Sequence, residues 1–119
     1  MMNYTYIVVV AIMIIFDVLT GLIKAIKNGE VKSSIMRKGL LAKVSEMLIL
    51  ILMYALEYYL PQININIGLP IVQMVAVYII AMELGSVIEN VGAVNEPLQS
   101  KLSHIFADFI KNEKQENEE

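Results

Sequence analysis

Met47-Leu48-Ile49-Leu50-Ile51-Leu52-Met53 is an unbroken run of apolar residues. Wound into a helix, it covers about two turns, so greasy side chains project in every direction. A helix on the surface of a soluble protein would show a polar stripe within that length. The run lies inside a longer apolar stretch, Leu40 to Leu60, flanked in the chain by two others, Tyr4 to Ile26 and Ile67 to Ile88. Each is about long enough to cross a bilayer, because ~20 helical residues at ~1.5 Å rise span ~30 Å of hydrocarbon. The expected fold class is therefore an all-α membrane protein with three transmembrane helices.

Composition agrees. Of the 119 residues, 57% are hydrophobic, against ~45–50% in an ordinary soluble domain, and the mean hydropathy is +0.63. One compact unit is all that this length allows, and a soluble interior of that size is too small for so much apolar surface. A soluble hydrophobic bundle is the disfavoured alternative. The first sixteen residues carry no lysine or arginine and no small-x-small cleavage signal follows them, so they read as a retained helix rather than a signal peptide.

Charges interrupt every stretch. Asp17 falls in the first, Lys43, Glu46 and Glu57 bracket the second, and Glu83 comes late in the third. None has 18 uncharged residues in a row, so the case for spanning rests on the three together. The net charge of −3 hides a segregation of signs. Lys24, Lys27, Lys32, Arg37, Lys38 and Lys43 surround the first connection, whereas the second, Pro61 to Gly68, has no base. The basic loop is expected on the cytoplasmic side, with the N-terminus outside and the C-terminus inside. It has no interleaved aromatics, so anionic lipid headgroups suit it better than nucleic acid.

The connections have local signals. Asn28-Gly29 predicts a helix stop with Gly29 in a left-handed cap, Ser33 or Ser34 a cap for the next helix, and Pro61 the end of the second. Ile63-Asn64-Ile65-Asn66-Ile67 alternates with period two, which predicts an extended connector. With no tryptophan, Tyr4, Tyr6, Tyr58 and Tyr59 supply the interfacial aromatics. Residues 1–92 thus form a three-helix membrane domain with spans of about 4–26, 40–60 and 67–88. Asn95 can cap a further helix with Glu96 and Pro97 in its first turn. Leu98, Leu102, Ile105, Phe106, Phe109 and Ile110 share one face of it, opposite Lys101, His104, Asp108 and Lys111. Residues 93–111 read as an amphipathic cytoplasmic helix for the inner membrane surface or a partner, and 112–119 as a charged disordered tail.

Carboxylates within lipid are the candidate functional groups, since a lone charge at the bilayer centre costs roughly 2.5–3.5 kcal/mol. Asp17 is the deepest by this reading, with Glu46, Glu57, Glu83 and Glu89 nearer the ends of their spans. Asp17, Gly21, Lys24 and Asn28 share a stripe of the first helix, and Lys43, Glu46, Tyr54 and Glu57 one of the second. Glu83, Ser86 and Asn90 share a face of the third. Gly21 with Ala25, and Ala81 with Gly85, are small-residue pairs for close helix approach. These polar edges can pair within one molecule, line a water-filled lesion built from several copies, or carry protons or cations. The sequence has no cysteine, one histidine and no glycine-rich phosphate loop. It offers no thiolate site, no histidine–carboxylate metal cluster and no nucleophile with a base, so neither a cofactor nor an enzyme is expected.

In order along the chain, Asp17-Val-Leu-Thr-Gly21-Leu-Ile-Lys24-Ala25, Ser33-Ser34, Arg37-Lys38-Gly39-Leu-Leu-Ala-Lys43, Glu83-Leu-Gly-Ser86-Val-Ile-Glu89-Asn90 and Gly92-Ala-Val-Asn-Glu-Pro97 resemble the phage-lysis and toxin-secretion holins of Gram-positive bacteria and their phages. The resemblance runs from about residue 14 to residue 110. It implies a homo-oligomer of the bacterial cytoplasmic membrane that forms pores for host cell lysis or toxin secretion, with an endolysin or a large toxin as cargo. By position it singles out Asp17, Gly21, Lys24, Gly39, Glu83, Glu89 and Asn90. A small proton or cation channel or transporter subunit, and a non-conducting membrane adaptor, are the rival expectations.

Overall fold

The computed structural model describes residues 3–118. Four helices follow one another: α1 (Thr5–Asn28), α2 (Ser33–Tyr59), α3 (Ile71–Val94) and α4 (Glu96–Glu118), with a short 3₁₀ turn, Leu60–Ile63, after α2. There is no strand among the described residues. The helices α1 and α3 have 24 residues each and α2 with its 3₁₀ turn has 31, so all three exceed the ~30 Å hydrocarbon thickness at ~1.5 Å per residue. Each contains an 18-residue stretch apolar enough to cross a membrane.

Short connections force α2 to run against α1 and α3. Gly29 closes α1 in the left-handed region (φ 67°), its N–H reaching Ile26 O at 3.2 Å, while Glu30 N–H reaches back to Ala25 O at 2.9 Å. Two otherwise orphaned helix-end carbonyls are thereby satisfied, at a backbone angle that glycine adopts without cost. The other connection differs from its expectation. Helix α2 does end at Tyr59, just before Pro61, but the chain continues through the 3₁₀ turn and Asn64 at φ 65° takes it left-handed, so Ile63 to Ile67 is not a continuous extended run. Asparagine tolerates that region better than most side chains, and the period of two had no partner strand to enforce it.

Three boundaries also differ. Helix α2 starts at Ser33, close to the expected serine cap and seven residues before the expected span at Leu40, because lysine and arginine are good helix formers and do not end a helix as they end a hydropathy window. Its N-cap is Lys32, with no side-chain cap, so neither Ser33 nor Ser34 plays that part. Helix α3 runs from Ile71 to Val94 rather than 67–88, and α4 continues to Glu118 through the segment expected as a disordered tail. The residues there, Glu, Lys and Gln with two Asn, are mostly of high helix propensity; Glu119 lies outside the described residues. The expected cap of α4 is present: Asn95 Oδ1 accepts from Leu98 N–H at 3.3 Å.

The packed interior is small. Val10, Leu50, Tyr54, Val72, Ala76 and Ile79 form it, all toward the end of the bundle that carries the α2–α3 connector. Helix α3 is central, packing most extensively on α1, then on α4 and α2. Elsewhere large apolar side chains such as Ile15, Phe16, Leu41 and Leu48 stand exposed. The accessible surface is 8937 Å², where a soluble monomer of this mass shows about 6,500 Å². A surface that large and that greasy is matched to lipid.

Candidate functional site: a buried ion-paired cluster

Among the described residues two charged ones are buried, Asp17 on α1 and Glu83 on α3, the latter only 1% exposed. Each stands 12 residues into a 24-residue helix, about 18 Å from the end nearer the connector. Glu83 is therefore as deep as Asp17. With a third span ending at Ile88 it is expected near a boundary, but α3 runs on to Val94.

One ammonium serves both. Lys43 Nζ lies 2.5 Å from Asp17 Oδ2 and donates to Glu83 Oε1 and Oε2 at 2.6 and 2.7 Å. This corrects the assignment of Lys43 to the basic loop: it belongs to the interior. Its long aliphatic stem lets the charge leave the face of α2 and reach the α1–α3 seam. Removing one partner of such a pair costs roughly 3–5 kcal/mol, because the other charge is left buried and alone.

A second layer of hydrogen bonds orients Asp17. Asn90 Nδ2 on α3 lies 3.1 Å from Asp17 Oδ1, 3.3 Å from Asp17 O and 3.2 Å from Thr20 Oγ1. The Thr20 hydroxyl in turn donates to Phe16 O at 2.8 Å. Thr20 escaped the sequence reading, although its position three residues after Asp17 puts it on the same face. At Gly21 the helices come close: a Cβ added there would sit 3.5 Å from Asn90 Nδ2. Ala25, half-buried, continues that seam.

Glu46, one turn after Lys43, adjoins Glu83, and its Oε2 is buried with no hydrogen-bond partner among the described residues. Two carboxylates thus share one lysine while a third, Glu46, adjoins them without a base of its own, and the cluster is short of positive charge. Glu46 also lines a groove of about 450 Å³ between α2 and α3 with Ser45, Ile49, Tyr78 and Met82.

The remaining candidates are elsewhere. Glu57 is exposed and lines a cleft of about 310 Å³ near the connector with Tyr6, Tyr54 and Gln73. Lys24 and Ser86 are half-buried, and neither makes a side-chain hydrogen bond or ion pair among the described residues. Glu89 is exposed. Ala81 and Gly85 face outward, and nothing lies within 4 Å of a Cβ built at Gly85, so this pair does not pack the protomer. Gly39 is equally open. Lys32, Arg37 and Lys38 are exposed. Lys27, read only as part of the basic loop, donates to Ala93 O at 2.5 Å and so caps the last turn of α3. On α4, Leu102 is half-buried, whereas Leu98, Ile105, Phe106, Phe109 and Ile110 are exposed.

Fold and cluster together define a small helical membrane protein that pairs Asp17 and Glu83 with Lys43 inside its bundle. The profile of the bacteriophage holin family matches residues 3–111, and the chain belongs to that family. This is a membrane pore-forming family rather than an enzyme family. Comparison with curated proteins and with solved structures gave no significant match.

Proposed function

We propose that this holin accumulates as a homo-oligomer in the bacterial cytoplasmic membrane and opens lesions through which a cell-wall hydrolase, or a large toxin, leaves the cell. The observation that supports this best is the Lys43 bridge between Asp17 and Glu83. In the closed protomer α1, α2 and α3 each contribute a polar edge, and Lys43 on α2 satisfies Asp17 on α1 and Glu83 on α3. A lesion needs those same edges turned toward water. The bridge is then a latch: it makes a single copy safe in lipid, and it opens when water or neighbouring copies offer the charges an equivalent partner. Association in lipid draws on close packing and interhelical hydrogen bonds rather than on apolar burial. The outward Ala81 and Gly85 are available for such packing. Collapse of the membrane potential assists opening, as moving one charge across the field is worth about 2.3 kcal/mol per 100 mV.

Orientation follows from the bases. Lys27, Lys32, Arg37 and Lys38 cluster at one end of the bundle and the α2–α3 connector has none, which favours that end in the cytoplasm, the N-terminus outside and α4 inside. The basic end then meets anionic headgroups, at roughly 1 kcal/mol per base before screening.

The test is induction of the protein alone in a bacterium. Escape of a folded cytoplasmic enzyme supports a holin lesion. Leakage of ions without enzyme indicates a small channel, and an intact barrier indicates a non-conducting adaptor.

A further inference from the structure

Among the described residues, helix α4 touches only α3 within its protomer, and its apolar side chains Leu98, Ile105, Phe106, Phe109 and Ile110 are left uncovered. A lipid surface fits this face poorly. Helices that lie on membranes are rich in lysine and arginine; the polar side of α4 does carry Lys101 and Lys111 against Asp108, but over the whole helix five acids outnumber three lysines. Two of those acids, Glu113 and Glu116, continue the apolar stripe itself, since they follow Phe109 and Ile110 at helical spacing. An anionic inner leaflet repels such a helix.

At the same end of the molecule the first turns of α2 present the opposite chemistry. Ile35, Met36, Leu40 and Leu41 are exposed there. Lys27, Lys32, Arg37 and Lys38 surround them, with Glu30 the one acid between residues 27 and 42. The segment from Ser33 to Ala42 is about 15 Å long and that from Leu98 to Ile110 about 20 Å. Within one protomer the two do not meet.

We infer that α4 of one copy docks on the first turns of α2 of a neighbouring copy, apolar face to apolar face, with Glu113 and Glu116 toward Arg37 and Lys38. The inference rests on the homo-oligomeric reading above and names the surface that would join the copies. Because the two surfaces differ, the contact is head-to-tail and extends into a ring or an open array without a new interface. Such an array at the cytoplasmic face would bring protomers together while leaving the lipid-facing helices free to rearrange.

The chain has no cysteine, so introduced thiols report without background. Two tagged copies, one carrying Leu41→Cys and the other Phe109→Cys, are expressed together and oxidised in membranes. The expected product is the mixed dimer, and a chain carrying both substitutions should give a ladder. Arg37→Glu with Lys38→Glu should lower the yield several-fold, and Glu113→Lys with Glu116→Lys in the partner should restore it. Failure to form the 41–109 disulfide, while an amine-reactive cross-linker still captures multimers, overturns this contact and leaves the oligomeric reading standing. Quenching of a fluorophore at Phe109→Cys by lipid-borne quencher also overturns it, by placing the face in lipid. Absence of multimers by either cross-linker removes the oligomeric reading as well.

Discussion

Lys43 and Asp17, 26 positions apart in the chain and on different helices, form an ion pair of 2.5 Å inside the bundle. The same ammonium holds Glu83. Lys43→Met should therefore strand two carboxylates in a low-dielectric seam and destabilise the protomer by about 3–5 kcal/mol. The drop should be visible as lower accumulation in membranes and a lower melting temperature in detergent. Lys43→Arg, which keeps the charge, should lose much less. Replacing the whole set (Asp17→Asn, Lys43→Met, Glu46→Gln and Glu83→Gln together) should recover most of the stability, because no uncompensated charge remains in the cluster.

Asp17→Asn separates latch from packing. Asparagine can still accept from Asn90 but cannot pair with Lys43. With the latch weakened, lysis after induction should begin earlier than with the native protein. Onset time and lesion size both unchanged would take Asp17 out of the mechanism.

Gly21 tests the seam between α1 and α3. A methyl there meets Asn90 Nδ2 at 3.5 Å, an ordinary contact, so Gly21→Ala should be tolerated and even help the helix slightly. Gly21→Leu must push the helices apart and break the bonds from Asn90 to Asp17 and Thr20. A loss of about 1–3 kcal/mol is expected, read from thermal unfolding in detergent.

Lys27→Met removes the cap on Ala93 O without touching the buried cluster. A charge-assisted bond at an exposed helix end is worth about 0.3–1 kcal/mol. The expected outcome is faster hydrogen exchange confined to the α3–α4 junction near residues 93–96, with the bundle unchanged.

Neutralising Lys32, Arg37 and Lys38 to glutamine should leave insertion intact but weaken the orientation preference. Labelling of a thiol at Asn66→Cys by a membrane-impermeant reagent should fall from nearly complete to mixed. Complete labelling in the variant would show that these bases do not set the orientation.

The membrane character of the fold was legible because residues such as Met47 to Met53 leave no polar side for water. The Gly29 stop and the Asn95 cap were legible because local backbone chemistry demands those residues. Asp17 and Asn90 were visible as polar groups on their helices, but not as partners 73 residues apart. Lys43 was misread because charge counting assigns a lysine to the nearest loop, whereas its stem reaches into the seam. Lys27 was missed as a cap for the same reason: its partner is a backbone carbonyl on another helix. Boundaries slipped wherever hydropathy stood in for helix propensity, at Ser33, Val94 and Glu118.

The most direct measurement reconstitutes the purified protein in phosphatidylethanolamine–phosphatidylglycerol vesicles loaded with a small dye and a folded enzyme, and follows the release of each as protein density rises. The account predicts a threshold above which dye and enzyme escape together, reached at lower density by Asp17→Asn. Escape of dye with the enzyme retained at every density would contradict it.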